Sequence, residues 1–172
     1  MIVKCEEKWS ENPDAADAVW ASNGDQLHYP NVSTCITVTL VFQNGLLGGH
    51  ASQSTIEVKD SKIQPGKNLR GVIQRMISVA SDNHALGAFR KICFIGTTPE
   101  TDWELDEATK LITNHFGEPS MSQRLDVSAK KVDIVFDTSV STLYTAAHKK
   151  KDQTVAETIK LAEDDDTFMQ YV

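Results

Sequence analysis

Between Ser33 and Ser52 the chain reads STCITVTLVFQNGLLGGHAS, and its first half alternates strictly. Successive side chains of a β-strand point to opposite faces. Ile36, Val38, Leu40 and Phe42 therefore form one apolar face, and Cys35, Thr37, Thr39 and Val41 form the other. Asn44-Gly45 follows at once, a pair that tolerates positive φ and is a strong signal for a hairpin turn. The alternation and turn predict a strand from Ser33, a turn at Asn44-Gly45 and a returning strand from Leu46 to Val58. Such a hairpin has to be covered by further layers, which restricts the fold to those built around a sheet.

The covering elements are legible downstream. Leu69, Val72, Ile73, Met76, Ile77 and Ala80 recur at spacings of three and four, which predicts a helix over Asn68 to Ala80 after the break at Gln64-Pro65-Gly66. RKICFIGT, Arg90 to Thr97, is a continuous apolar run suited to a buried strand, with Cys93 as a core residue. A second helix over Glu104 to Phe116 is expected, capped by Asp102, acidic in its first turn and stopped by Gly117. QRLDVS and KKVDIVFDT read as strands, and STLYTAA pairs with the latter. Thr154-Val-Ala-Glu157 matches a capping box opening a short terminal helix, followed by an acidic tail at Glu163 to Asp166. Before the hairpin, the Pro-, Asn- and Asp-rich stretch from 8 to 30 reads as irregular, with a short helix around Asp14 to Ala21 at most.

This order predicts an α+β fold, a layered α/β sandwich with a mainly antiparallel sheet and two or three helices. The 172 residues, 40% of them hydrophobic, suit one domain: an irregular N-terminal wrap at 1–32, a core at 33–146, and a C-terminal helix with acidic tail at 147–172. A formal net charge of −7 argues against gripping nucleic acid or an anionic membrane surface. No run approaches the roughly 18 apolar residues of a membrane span. MIVKCEEKW is charged where a signal peptide is apolar, so the expected location is cytoplasmic, or a target-cell cytoplasm reached by a specialised route. Three dispersed cysteines fit neither a disulfide framework nor a zinc motif.

No phosphate-binding, dinucleotide, zinc-protease or serine-hydrolase signature is present. The five histidines, His28, His50, His84, His115 and His148, are too scattered to suggest a metal cluster, and no metal or cofactor is expected. Cysteine chemistry remains. A catalytic thiol needs a base within hydrogen-bond reach, and hairpin parity places His50 on the face of Cys35. With Asn44-Gly45 as a two-residue loop, Cys35 faces Ser54; with a four-residue loop from Phe42 to Gly45, it faces Ser52. His50 then falls short by roughly 7 to 13 Å along the strand, unless Gly48-Gly49 bends the return strand.

A cysteine opening a strand, a short turn and a Gly-Gly-containing return strand with histidine resembles the chemoreceptor glutamine deamidases (the CheD family). It is also similar to the catalytic domains of cytotoxic necrotizing factor toxins. The 15-residue separation of Cys35 and His50 is like the toxin branch, and GGHA is like the chemoreceptor branch. The order of elements through VDIVFDTSVSTLYTA extends the likeness over Val32 to Ala146. The cysteine is preceded by VST where these families commonly have a glycine-containing turn, and Tyr29 stands where some have threonine. The histidine-orienting group is thus open among Tyr29, His28 and a backbone carbonyl.

The resemblance implies hydrolysis of a glutamine side-chain amide in a partner protein, as in a bacterial effector or toxin, with Cys35 as nucleophile and His50 as acid-base, and without a cofactor. The rival class is a non-enzymatic binding module, such as an immunity or adaptor protein. Another cysteine hydrolase or a transglutaminase would share the acyl-enzyme chemistry.

Overall fold

A computed structural model of the chain describes residues 1–8, 12, 14–53, 65–82, 85–96, 103–126, 132–137, 143–150 and 153–160. The strands are β1 (Ile2–Lys4), β2 (Ala18–Ser22), β3 (Gln26–Val32), β4 (Ile36–Phe42), β5 (Gly45–Ala51), β6 (Phe89–Gly96), β7 (Met121–Asp126), β8 (Val132–Asp137), β9 (Leu143–Lys150) and β10 (Gln153–Lys160). The helices are α1 (Pro65–Ser81) and α2 (Leu105–Phe116). The fold is α+β, with the strands in two five-stranded sheets ordered β1-β3-β8-β9-β10 and β2-β5-β4-β6-β7. Pairing is antiparallel except for β1 with β3 and β6 with β7.

Strand β4 sits between β5 and β6, and its two faces serve two cores. Ile36, Val38, Leu40 and Phe42 pack with Leu69, Val72, Ile73 and Met76 of α1 and Ala108 and Ile112 of α2. Cys35, with Cys93, Ile95 and Leu125, packs against Leu27, Tyr29, Ile134 and Phe136 of the other sheet. The layers therefore run helices, sheet, sheet. Thr37 and Thr39 are fully buried, and each hydroxyl is satisfied: Thr37 Oγ1 donates to the Ile95 carbonyl at 2.9 Å, and Thr39 Oγ1 meets Tyr29 Oη at 2.6 Å. A buried hydroxyl without a partner would cost about 1–3 kcal/mol.

The first 32 residues depart from the sequence reading. The expected irregular wrap contains β1, β2 and β3, and the helix expected around Asp14 to Ala21 is replaced in part by β2. In β3 the two-residue period of Leu27 and Tyr29 is broken at Asn31, which adopts a φ of 57°, and the register with β8 shifts between Tyr29 and Val32. This irregularity returns Val32 to the buried face and obscures the strand pattern.

Four further elements differ. The hairpin turn lies at Gln43 and Asn44, with Phe42 paired to Gly45, one residue earlier than Asn44-Gly45. Neither Asn44 nor Gly45 has positive φ; Gly45 serves a close approach instead, since a Cβ there would run into the Ala21 carbonyl and the Trp20 ring. Thr154 to Glu157 lies in β10, not in a terminal helix, and pairs along its length with β9. The β-branched residues Thr154, Val155, Thr158 and Ile159 favour a strand over the local capping signal. Pro65 occupies the first position of α1 rather than a preceding break, a place where proline costs nothing. Helix α2 starts at Leu105 after Glu104 in a left-handed conformation. Strand β5 ends at Ala51, with Ser52 and Gln53 following it outside any strand, rather than running through them toward Val58; residues 54–58, Asp102, His84 and the acidic tail lie outside the described residues.

Candidate functional site

Cys35 stands in the bend at residues 33–35, one residue before β4. The end of β6 passes directly behind it: a Cβ on Gly96 would run into the Cys35 carbonyl and lie 2.6 Å from Ile36 Cα. His50 is on β5, paired with Thr37. The two side chains meet, with His50 Nε2 2.9 Å from Cys35 Sγ. Both residues are about 1% exposed.

The return strand does not bend to achieve this. Gly48 and Gly49 pair in unbroken register with Thr39 and Val38. Their lack of side chains serves packing: a Cβ on Gly48 would be 2.8 Å from Tyr29 Oη, and one on Gly49 2.7 Å from Val72 Cγ1. The register expected from the four-residue loop holds, with Thr37 paired to His50, leaving a diagonal contact that the Cys35 bend closes.

The other ring nitrogen, Nδ1, is 3.0 Å from the Cys5 carbonyl. A carbonyl only accepts, so a neutral imidazole held there carries its proton on Nδ1 and turns the Nε2 lone pair toward the thiol. His50 N–H donates to the Asp17 carbonyl at 2.9 Å. The buried Asp17 carboxylate is held by Arg75 through Nε at 2.9 Å and Nη2 at 2.6 Å. Of the three candidates for the orienting group, the backbone carbonyl makes the hydrogen bond. Tyr29 contacts His50 edge to face at 5.9 Å between centroids while its hydroxyl donates to the Val38 carbonyl. His28 alternates with Tyr29 on β3 and points to the other face.

Glu7 completes the group. One of its carboxylate oxygens, Cys35 Sγ and a His50 ring nitrogen all lie within 4.8 Å of one another. Cysteine, histidine and glutamate are also a zinc donor set. A tetrahedral zinc would, however, hold sulfur and nitrogen about 3.6 Å apart, whereas here they are in hydrogen-bond contact at 2.9 Å.

Burial dominates the protonation of the site. It pushes the Cys35 thiol up to about 12, with the nearby Glu7 charge adding to the rise and backbone hydrogen bonds from Ser33 and Cys35 opposing it. Burial also lowers His50 to about 4, against the pull of the Cys5 carbonyl and the Asp17 and Glu6 charges. Burial raises the Glu7 carboxyl, and its hydrogen bond with Cys35 opposes this. At neutral pH the closed site holds a thiol and a neutral imidazole, and the pair can pass a proton from Sγ to Nε2 when an electrophile arrives.

The sequence did not reveal Cys5, Glu7 or Asp17 as parts of this site. The Cys5 contribution is a backbone carbonyl, which no residue type announces, and Glu7 sits in a stretch without periodicity. Elsewhere among the described residues, His115 packs its ring on Phe116 at the end of α2, and His148 lies on β9, paired with Val132 of β8.

Fold and site together define an α+β two-sheet sandwich with a buried thiol–imidazole pair between its sheets. No protein-family model matches the chain, and no curated protein matches it in sequence. Among the described residues, no helix is long and apolar enough to cross a membrane.

Proposed function

We propose that the chain is a cysteine-dependent amidohydrolase that deamidates a glutamine side chain of a partner protein, in the manner of the Cys-His glutamine deamidases that its element order resembles. The observation that carries the reading is the 2.9 Å Sγ to Nε2 contact, with Nδ1 anchored on a carbonyl. This arrangement gives a nucleophile, a base and a group that orients the base. His50 takes the Cys35 proton as sulfur attacks the amide carbon. The imidazolium then protonates the departing nitrogen, which leaves as ammonia. His50 next activates a water, whose attack breaks the thioester and leaves glutamate. In this reading the oxyanion is stabilised by backbone N–H groups near Cys35, and those of Ser33 and Cys35, which already interact with the sulfur, are the candidates. The chemistry calls for no cofactor, and the partner is a protein with an accessible glutamine, as expected of an effector or toxin acting in a cytoplasm.

The test is the rate of Cys35 alkylation by iodoacetamide against pH in wild type and His50→Ala. The reading expects His50→Ala to slow the reaction and change its pH profile. An alkylation rate indifferent to His50 overturns it. With a candidate target, a mass gain of about one dalton dependent on Cys35 marks hydrolysis, and a larger amine adduct marks transglutamination.

A further inference from the structure

A protein-deamidating site has to admit a side chain, yet Cys35 and His50 are each about 1% exposed. Part of the cover is the segment just after β1. Cys5 is fully buried; its N–H donates to the His28 carbonyl at 2.8 Å and its carbonyl holds His50. Beyond it, Glu6 N–H donates to the Ala16 carbonyl at 3.0 Å, and Ser52 Oγ donates to the Lys8 carbonyl at 3.3 Å. From this stretch Glu7 reaches the sulfur. Its side chain has the same methylenes as glutamine and ends in the carboxyl group that glutamine deamidation produces.

We propose that Glu7 occupies the subsite for the substrate's glutamine side chain, as a built-in product mimic, and that Glu6 to Lys8 must swing away for a protein substrate to enter. The inference rests on the deamidase reading of Cys35 and His50. Cys5 stays in place as the hinge, because its carbonyl orients the base. The incoming partner presents its glutamine from an extended segment that follows the path of residues 6–8. The closed form is inert toward water-borne electrophiles, and a partner that binds the displaced arrangement better opens the site by the difference in its two affinities.

The reaction at position 7 itself provides the test. Glu7→Gln puts a carboxamide where the carboxyl now sits. The sulfur–carbon bond forms as the carbon–nitrogen bond breaks and ammonia leaves with the proton held by His50. Water then breaks the sulfur–carbon bond and restores glutamate. Peptide mapping of purified Glu7→Gln should show position 7 gaining about one dalton, and the Glu7→Gln, Cys35→Ser double variant should keep its glutamine. Glu7→Ala, which removes the occupant, should raise the rate of Cys35 alkylation by iodoacetamide about tenfold or more, as expected when a buried site reacts through its open population. Circular dichroism confirms that each variant folds, and the near-isosteric Glu7→Gln guards against a misfolded alanine variant. A glutamine that stays intact while Cys35 remains alkylatable and His50-dependent overturns the occupant proposal and leaves the deamidase reading standing. A Glu7→Ala rate within about twofold of wild type overturns it as well. Cys35 alkylation indifferent to His50 is a different result, and it removes the deamidase reading beneath the proposal.

Discussion

His50 meets Cys35 without being paired to it. On the ladder His50 faces Thr37, yet its Nε2 lies 2.9 Å from the Cys35 sulfur. The contact is diagonal, made possible because Cys35 precedes the first ladder residue of β4 and is held back by the close passage of Gly96. The turn at Gln43 and Asn44 sets the register that leaves this diagonal, and the glycine pair stays in the ladder without bending it. The site thus depends on three backbone segments converging: the bend before β4, the end of β6 and the strap that presents the Cys5 carbonyl.

Burying a neutral imidazole ties stability to pH. His50 titrates near 4 in the folded chain and near 6.5 when unfolded. Between these values the unfolded state binds the extra proton, so stability rises with pH and is lost as pH falls from about 6.5 to 4. The loss should be on the order of 3 kcal/mol, levelling off below pH ~4. Urea denaturation of wild type and His50→Gln at pH 7.5 and 4 measures it: the difference in stability between the two proteins should shrink by this amount on acidification. An unchanged difference would show that His50 is not buried neutral.

Tyr29 supports the site by packing rather than by orienting the base. Its hydroxyl is committed to the Val38 carbonyl and Thr39 Oγ1, while only its ring meets His50. Tyr29→Phe should therefore cost about 1–2 kcal/mol in urea denaturation, from the partners left unsatisfied. Cys35 alkylation should stay within about threefold of wild type, because the imidazole keeps its carbonyl anchor. A collapse of reactivity with the fold intact would return Tyr29 to the orienting role.

The sequence exposed the parity of this site but not its closure. A two-residue period is robust, so Cys35 and His50 fall on one face in either register. Distance was hidden because it depended on whether Gly45 served the turn or a neighbour, and the approach of Ala21 and Trp20 decided that. The buried faces of β4 and the stripes of α1 and α2 were legible because burial repeats along them. In β3 the Asn31 irregularity broke the repeat, and at Thr154 a local capping pattern competed with β-branched residues that pair with the preceding strand β9. The Cys5 carbonyl left no trace in the sequence, since a residue of any type at that position would supply the same backbone group.

Asp17 and Arg75 connect α1 to the site. Arg75 is half exposed, while the Asp17 carboxylate it grips is almost wholly buried. Arg75→Ala should destabilise the chain by roughly 1–3 kcal/mol, less than breaking a fully buried pair because water reaches the arginine side. The Asp17 backbone carbonyl also receives the His50 N–H, so the loss should appear together with faster amide exchange at His50. A stability change below about 0.5 kcal/mol would place the pair among ordinary surface ion pairs.

Gly96 and Gly45 separate the geometry of the site from the stability of the sheet. Both permit close backbone approach, and both sit beside β4, but at opposite ends of it. A Cβ on Gly96 collides with the Cys35 carbonyl, whereas one on Gly45 collides with Ala21 and Trp20 near the hairpin turn. Either alanine substitution should overpack the fold and cost about 1–3 kcal/mol. Only Gly96→Ala should displace the bend that turns Cys35 toward His50. In that variant the alkylation rate of Cys35 should lose its dependence on His50, measured by comparing Gly96→Ala with the Gly96→Ala, His50→Ala double variant. In Gly45→Ala the dependence should persist despite a similar loss of stability. Equal behaviour of the two variants would mean that Cys35 and His50 meet through the general rigidity of the sandwich, and that the bend before β4 has no special part in bringing them together.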